Sequence, residues 1–205
     1  MKLYYSPGAC SLGIHVLLEE IGKPYEAVLV NLREGAQFRP EFTAINPKSK
    51  VPTLVRDDGS VLTEYPAIAF WLAATNPNAL IMPEGPEYQA RALELTDYCV
   101  ATMHMQGFSR IFRPANFAPS EADHDAVKAR GEEIFAKGLH LMNQALAGKD
   151  YLLGHYSFAD SALFYVSYWW NARLKKELPE NVGAHYARMN ARPAVQRALK
   201  AEGLA

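Results

Sequence analysis

The chain has 205 residues, 49% of them hydrophobic and 21% charged, with a formal net charge of -1 at pH 7. That composition supports a buried core without staples and excludes an intrinsically disordered chain. The near balance of 21 basic and 22 acidic residues excludes a broad basic footprint for nucleic acid or an anionic membrane.

In chain order, Lys2 to Tyr5 is a β-prone run closed by Ser6-Pro7-Gly8. From Ser11 to Ile21, the residues Ile14, Leu17, Leu18 and Ile21 keep helical spacing, with Gly22 as the stop. Ala27 to Val30 reads as a second strand, and a poorly patterned stretch with Gly35, Phe38 and Phe42 reads as a short helix. Val51 to Val55 and Ser60 to Leu62 form a hairpin around Asp57-Asp58-Gly59. Pro66 suits the first helical position of the segment through Ile68, Phe70, Trp71 and Leu72. The order is β-α-β-α-β-β-α.

Asn76 to Pro86 holds three prolines and two asparagines and reads as a linker between domains. The expected boundaries are residues 1–76, a linker over 77–86, and an all-helical domain over 87–205. In that second domain Tyr88, Ala92, Leu95, Cys99 and Thr102 mark one face of a long helix. Val127, Ile134, Leu141 and Leu146 mark a second helix, running from about Glu121 to Leu146. Ser157 to Trp170 is apolar almost all round, the pattern of a core helix, and Ser157-Phe158-Ala159-Asp160 fits a capping box at its start.

The longest charge-free run, Tyr65 to Pro83, is broken by Asn76-Pro77-Asn78 and suits no membrane span. The first residues make a poor signal peptide, and two cysteines make no disulfide framework, so a reducing cytoplasm is expected. No zinc, dinucleotide or nucleoside triphosphate motif occurs, and no metal is expected.

Three places carry candidate chemistry. Cys10 stands where the first helix begins, where free N–H groups and the dipole favour a thiolate; the alternative is a small residue filling a turn. Ser11 beside it is either a donor to that thiolate or a helix cap. Pro52 follows Val51 at a strand start. A cis bond there would turn the Val51 backbone outward toward an extended peptide, whereas X–Pro bonds are trans by default. Glu64 precedes the Pro66 helix, so a carboxylate and free N–H groups lie close together, a recipe for an amino-acid head group or for simple dipole compensation. Cys99 and the aromatic cluster Tyr165, Tyr168, Trp169 and Trp170 read as core.

Taken in order, M-K-L-Y-Y-S-P-G-A-C-S-L with His15, I-N-P-K-S-K-V-P-T-L, L-T-E-Y-P-A-I, H-M-Q-G-F, F-A-D-S-A-L-F and the ending A-E-G-L resemble the cytosolic glutathione S-transferases, and the bacterial beta class in particular. The resemblance spans essentially the full chain. It implies an α/β thioredoxin-like N-terminal domain and an all-α C-terminal domain, usually in a homodimer. It implies glutathione as co-substrate, with Cys10 and Ser11 at the reacting sulfur. Val51 before a cis Pro52 would pair with the cysteinyl backbone, and Glu64 and Tyr65 would hold the γ-glutamyl end. Lys50 and Arg33 would meet the glycine carboxylate. An apolar pocket near His104, Met105, Phe108 and Phe112 would take a small electrophile.

Three departures from the class are visible. Met105 stands where members usually carry a histidine, followed by Gln106 for lysine. Lys50 replaces a glutamine, and Tyr65 replaces a serine. The implied reaction is conjugation of the glutathione thiol to an electrophilic carbon, a detoxification chemistry. The alternatives are thiol transfer or reductive dehalogenation through a Cys10 mixed disulfide, and a non-catalytic binding scaffold.

Overall fold

The computed structural model describes residues 1–205, which divide into two compact units: Met1–Pro83 with Arg188–Ala205, and Glu84–Ala187. The first unit is built on a four-stranded mixed sheet of order β2-β1-β3-β4, from β1 (Lys2–Tyr5), β2 (Glu26–Leu29), β3 (Thr53–Val55) and β4 (Val61–Thr63). β1 and β2 are parallel, so the chain needs a crossover, and α1 (Ser11–Ile21) supplies it. Gly22 ends α1 at φ 71°, its N–H closing on the Leu18 carbonyl at 3.0 Å. The hairpin is as expected, β3 and β4 pairing antiparallel with Thr53 opposite Thr63. Its first strand is shorter than the sequence suggests, because Val51 and Pro52 lie outside the ladder.

Between β2 and β3 the poorly patterned stretch becomes two single 3-10 turns, Leu32–Glu34 and Ala36–Phe38, and then α2 (Pro40–Thr43). Phe42 is buried there with Val30 and Val51, whereas Phe38 stays exposed. α3 (Tyr65–Thr75) starts one residue before Pro66 and buries Ile68, Ala69 and Leu72.

The chain's end departs from the expected boundary. α9 (Pro193–Ala201) buries Ala194, Val195, Ala198 and Leu199 and packs on α1, so residues 188–205 belong to the first unit. Two arginine contacts pin it. Arg192 Nε and an Nη atom reach both oxygens of Glu20 at 2.6 and 3.1 Å, and Arg197 Nε reaches Glu19 at 2.6 Å.

The second unit is helical. α4 (Pro86–Asp97) runs on as a π-helix, Tyr98–Phe108, and ends in α5 (Ser109–Phe112). α6 (His124–Ala145), α7 (Phe158–Tyr168) and α8 (Glu180–Asn190) follow; α8 continues into Arg188 and so crosses the boundary between units. The buried stripe of the first long helix is Ala92, Thr96, Cys99 and Met103, while Tyr88 is exposed. In α6 the buried face is Gly131, Phe135, Gly138, Leu139 and Met142 rather than the face of Leu141, which is exposed. Close approach selects that face: a Cβ on Gly131 would lie 2.7 Å from the Gly107 carbonyl, and one on Gly138 would lie 2.5 Å from Met103 Cγ. α7 is buried all round except at Tyr168, as its composition implied. No helix is long and apolar enough to cross a membrane.

Candidate active site

Cys10 is the N-cap of α1, reached through the turn at Gly8, whose φ is 62°. Its Sγ donates to the Val51 carbonyl at 3.3 Å. The N–H groups of Cys10 and Ser11 and the Lys50 ammonium all favour a thiolate at this sulfur, as the helix start predicts, but burial outweighs them. The thiol is pushed up to about 12, with Glu202 adding to the rise. Burial thus opposes the helix start at this sulfur, while the same N–H groups remain placed to favour a ligand thiolate held beside it. Ser11 is the first residue of α1. It is fully buried, and its hydroxyl donates to the Ser6 carbonyl at 3.3 Å and accepts from the Ser6 N–H at 3.2 Å. It makes no side-chain cap to the helix; its bonds to Ser6 fix the turn that presents Cys10.

The Val51-Pro52 bond is cis, against the default for such bonds. The segment leading to it is organised by Asn46, whose side chain is buried. Asn46 Oδ1 accepts the Lys48 N–H at 3.0 Å, and Nδ2 donates to the Lys50 carbonyl at 2.9 Å and to Thr53 Oγ1 at 2.8 Å. This loop therefore reaches Cys10 through the Val51 carbonyl and Lys50, and it reaches Glu64 through Lys48.

Glu64 directly follows Thr63, the residue paired with Thr53, so the β3–β4 register sets it beside Pro52. It is exposed and precedes α3 with φ 69°, an unfavourable value for a residue with a Cβ. Its carbonyl accepts the Ile68 N–H at 3.0 Å, while its carboxylate projects to Lys48 Nζ at 2.7 Å. The first unit thus brings together a sulfur at a helix start, a cis-proline backbone edge, and a carboxylate at a second helix start.

Residues 8–75 match the glutathione S-transferase N-terminal domain family. Glutathione S-transferase GstA of Escherichia coli O157:H7 is 38% identical over 208 residues, covering all of both chains. The chain belongs to the glutathione S-transferase family. Among solved structures, the sphingomonad glutathione S-transferase complexed with glutathione matches over 100% of both chains, with a TM-score of 0.85 and 37% identity. The beta-class glutathione S-transferase of Sphingomonas chungbukensis matches over the same extent, with a TM-score of 0.85 and 34% identity.

Against that family, the remaining expected residues fall as follows. Tyr65, expected at the γ-glutamyl end, is 3% exposed, so its side chain is buried and its backbone stands at the helix start. Lys50 is exposed and close enough to Cys10 to favour its thiolate. Arg33 lies on the exposed turn after β2, its N–H taken by Asn31 Oδ1 at 3.1 Å.

In the second unit Phe108 stacks on Trp169 at 4.1 Å and on Phe112 at 5.5 Å, leaving Phe112 exposed. His104 meets Trp169 edge-on at 4.6 Å, so it joins the same aromatic group, and Met105 is 40% exposed. Gln106 is occupied by Arg110, whose Nη1 donates to its side-chain oxygen at 2.6 Å. No cluster of three His, Cys, Asp or Glu residues forms a metal site.

Three contributors escaped the sequence reading. Asn46 and Lys48 lie inside the I-N-P-K-S-K-V-P segment; Asn46 finds its partners within seven residues, whereas Lys48 meets Thr63 and Glu64 only once the hairpin has formed. Glu202, in the ending A-E-G-L, is buried with one oxygen on the Gly8 N–H at 2.7 Å and the other on His15 Nδ1 at 2.9 Å. It holds the turn before Cys10 from the far end of the chain.

Proposed function

We propose that this protein conjugates the thiol of glutathione to small, largely apolar electrophiles, a detoxification reaction carried out by a cytoplasmic homodimer. The observation that carries the reading is the Cys10 sulfur, set against the Val51 carbonyl beside a cis Pro52, with Glu64 at the neighbouring helix start. Full-length kinship to GstA supports the same chemistry. The backbone edge at Val51 suits the extended cysteinyl unit of the tripeptide, and the Glu64 carboxylate suits its ammonium. Lys50 lends positive charge near the sulfur and, with Arg33, suits the glycine carboxylate.

Because Cys10 keeps its proton, its role in conjugation is that of a donor. Its S–H turns from the Val51 carbonyl to the glutathione sulfur and stabilises the thiolate there, helped by the N–H groups at the start of α1. The thiolate then attacks the electrophilic carbon: a C–S bond forms, the leaving group departs with the bonding pair, and the thiol proton goes to solvent. The aromatic face around Phe108, Phe112 and Met105, with His104 behind it on Trp169, suits the apolar second substrate. Met105 holds no proton to exchange, so stabilisation of the thiolate rests on the first unit.

The test is steady-state conjugation of glutathione to 1-chloro-2,4-dinitrobenzene and other electrophiles. We expect saturable activity in the wild type, and Cys10→Ala should retain measurable conjugation while losing any glutathione mixed disulfide seen by mass spectrometry. Absence of conjugation across the panel overturns the reading. Glutathione-dependent disulfide exchange that Cys10→Ala abolishes, in a wild type that conjugates none of the panel, would transfer the assignment to thiol transfer. Light scattering of the purified protein tests the homodimer.

A further inference from the structure

Lys48 is the least explained cation near the proposed glutathione site. Its Nζ donates to Glu64 Oε1 at 2.7 Å and to Thr63 Oγ1 at 2.9 Å, so it rests on the carboxylate that suits the ligand's ammonium. Three features say that this placement is built. The Lys48 backbone is tied to the buried Asn46 side chain, whose Oδ1 accepts its N–H at 3.0 Å. Ser49, next in the chain, and Glu64 both hold positive φ, at 55° and 69°, and they are two of only four non-glycine residues that do so. Such values persist where the surroundings enforce them, and they cluster at functional sites. Finally, Tyr65 buries its side chain, so the position after Glu64 offers no exposed side-chain donor.

The charges of the pair decide what it fits. The γ-glutamyl end of glutathione carries an ammonium and a carboxylate on one carbon. Glu64 and Lys48 in contact present the complementary anion and cation. Both side chains are more than half exposed, at 59% and 52%, and an ion pair so exposed contributes little, so exchanging it for ligand charges costs little. A zwitterionic head replaces one ion pair with two and leaves no charge unpaired. A ligand lacking the carboxylate would free Lys48 without compensating it.

We propose, resting on the glutathione reading above, that Lys48 is the carboxylate-binding half of the head-group site. It holds the α-carboxylate of the γ-glutamyl end while Glu64 holds the ammonium, doing from the loop what the residue after Glu64 cannot do with its side chain. The pair then selects peptides with a free α-amino-acid head.

The experiment is calorimetric titration of wild type, Lys48→Ala and Lys48→Arg with two ligands: glutathione, and the analogue in which 4-aminobutyryl replaces γ-glutamyl and so lacks only the α-carboxylate. Lys48→Ala should weaken glutathione about tenfold and leave the analogue within about twofold or tighter, while Lys48→Arg stays within about threefold of wild type. Wild-type binding of glutathione with no loss in Lys48→Ala overturns the role of Lys48 alone. Equal losses for both ligands also overturn it, since Lys48 would then act only by orienting Glu64. Failure of the wild type to bind millimolar glutathione overturns the glutathione reading and this inference with it.

Discussion

Each unit contains one histidine–carboxylate pair with both side chains fully buried, and the two pairs are wired differently. In the second unit, Asp160 spreads its oxygens over the Leu152 N–H at 3.0 Å, the Ser157 N–H at 2.8 Å, the Ser157 hydroxyl at 3.1 Å and His185 Nε2 at 3.1 Å. In the first unit, Glu202 takes the Gly8 N–H and His15 Nδ1. Each imidazole keeps its other nitrogen buried without a hydrogen-bond partner. The carboxylates share an electrostatic effect as well: Glu202 raises the pKa of Cys10 and Asp160 raises that of Cys99. The difference lies in what they hold. Asp160 fastens the start of a core helix to the loop before it, whereas Glu202 fastens the turn that presents the reactive sulfur. A buried carboxylate is tolerated where donors surround it, and the identity of those donors decides whether it serves folding or chemistry.

The sharpest break of this comparison is Asp160→Ala. It strands two backbone N–H groups and a histidine nitrogen in the core, and it should cost about 3–5 kcal/mol. Urea unfolding followed by tryptophan fluorescence measures it, and a loss under about 1 kcal/mol would contradict the folding role. Glu202→Gln comes next. It keeps an acceptor but removes the charge, so stability should fall by only about 1–2 kcal/mol. With the negative charge gone, the Cys10 pKa drops and alkylation by iodoacetamide near pH 9 should quicken about two- to fivefold. Slower or unchanged alkylation would show that Glu202 acts on the turn alone.

These two clamps also show what a sequence discloses. Ser157 and Asp160 are three residues apart, so one helix start defines both ends of the contact and the capping box is readable from spacing. Glu202 and Gly8 are 194 residues apart, and nothing local in A-E-G-L names its partner. The same divide separates the rest of the molecule. The β-α-β unit, the Asp58-Gly59 hairpin and the Pro66 helix follow from local periodicity and turn chemistry. The docking of α9 on α1 does not, because a stripe of Ala194, Val195, Ala198 and Leu199 suits any apolar face. At the site, Cys10, Val51, Pro52 and Glu64 were legible as types at element boundaries. The protonation of Cys10 was not, since a helix start signals stabilisation of charge while burial depends on the assembled fold. Lys48 was hidden for a related reason: its side-chain partners Thr63 and Glu64 meet it only through the β3–β4 register.

The smallest expected effect separates the two cysteines. Both thiols are raised from an ordinary value of 9.0 to about 12, with burial as the first cause in each. A thiol whose pKa is higher folded than unfolded stabilises the fold through its neutral form. That contribution is whole below about pH 9 and is lost as pH climbs toward about 12, because the unfolded chain ionises first. Stability should therefore slope downward from pH 9 to 11, and removing either thiol should flatten the slope. The two should not contribute alike. Cys99 is fully buried, whereas Cys10 is only half-buried, so solvent screens the Cys10 thiolate and tempers its shift. Urea midpoints of wild type, Cys10→Ala and Cys99→Ala at pH 8, 9, 10 and 11 test this. Cys99→Ala should flatten the slope more, even though its neutral-pH midpoint is lower for the lost packing. Equal flattening would mean that solvent screens the half-buried Cys10 sulfur no better than that of Cys99, and the contrast between the two cysteines would fall with it.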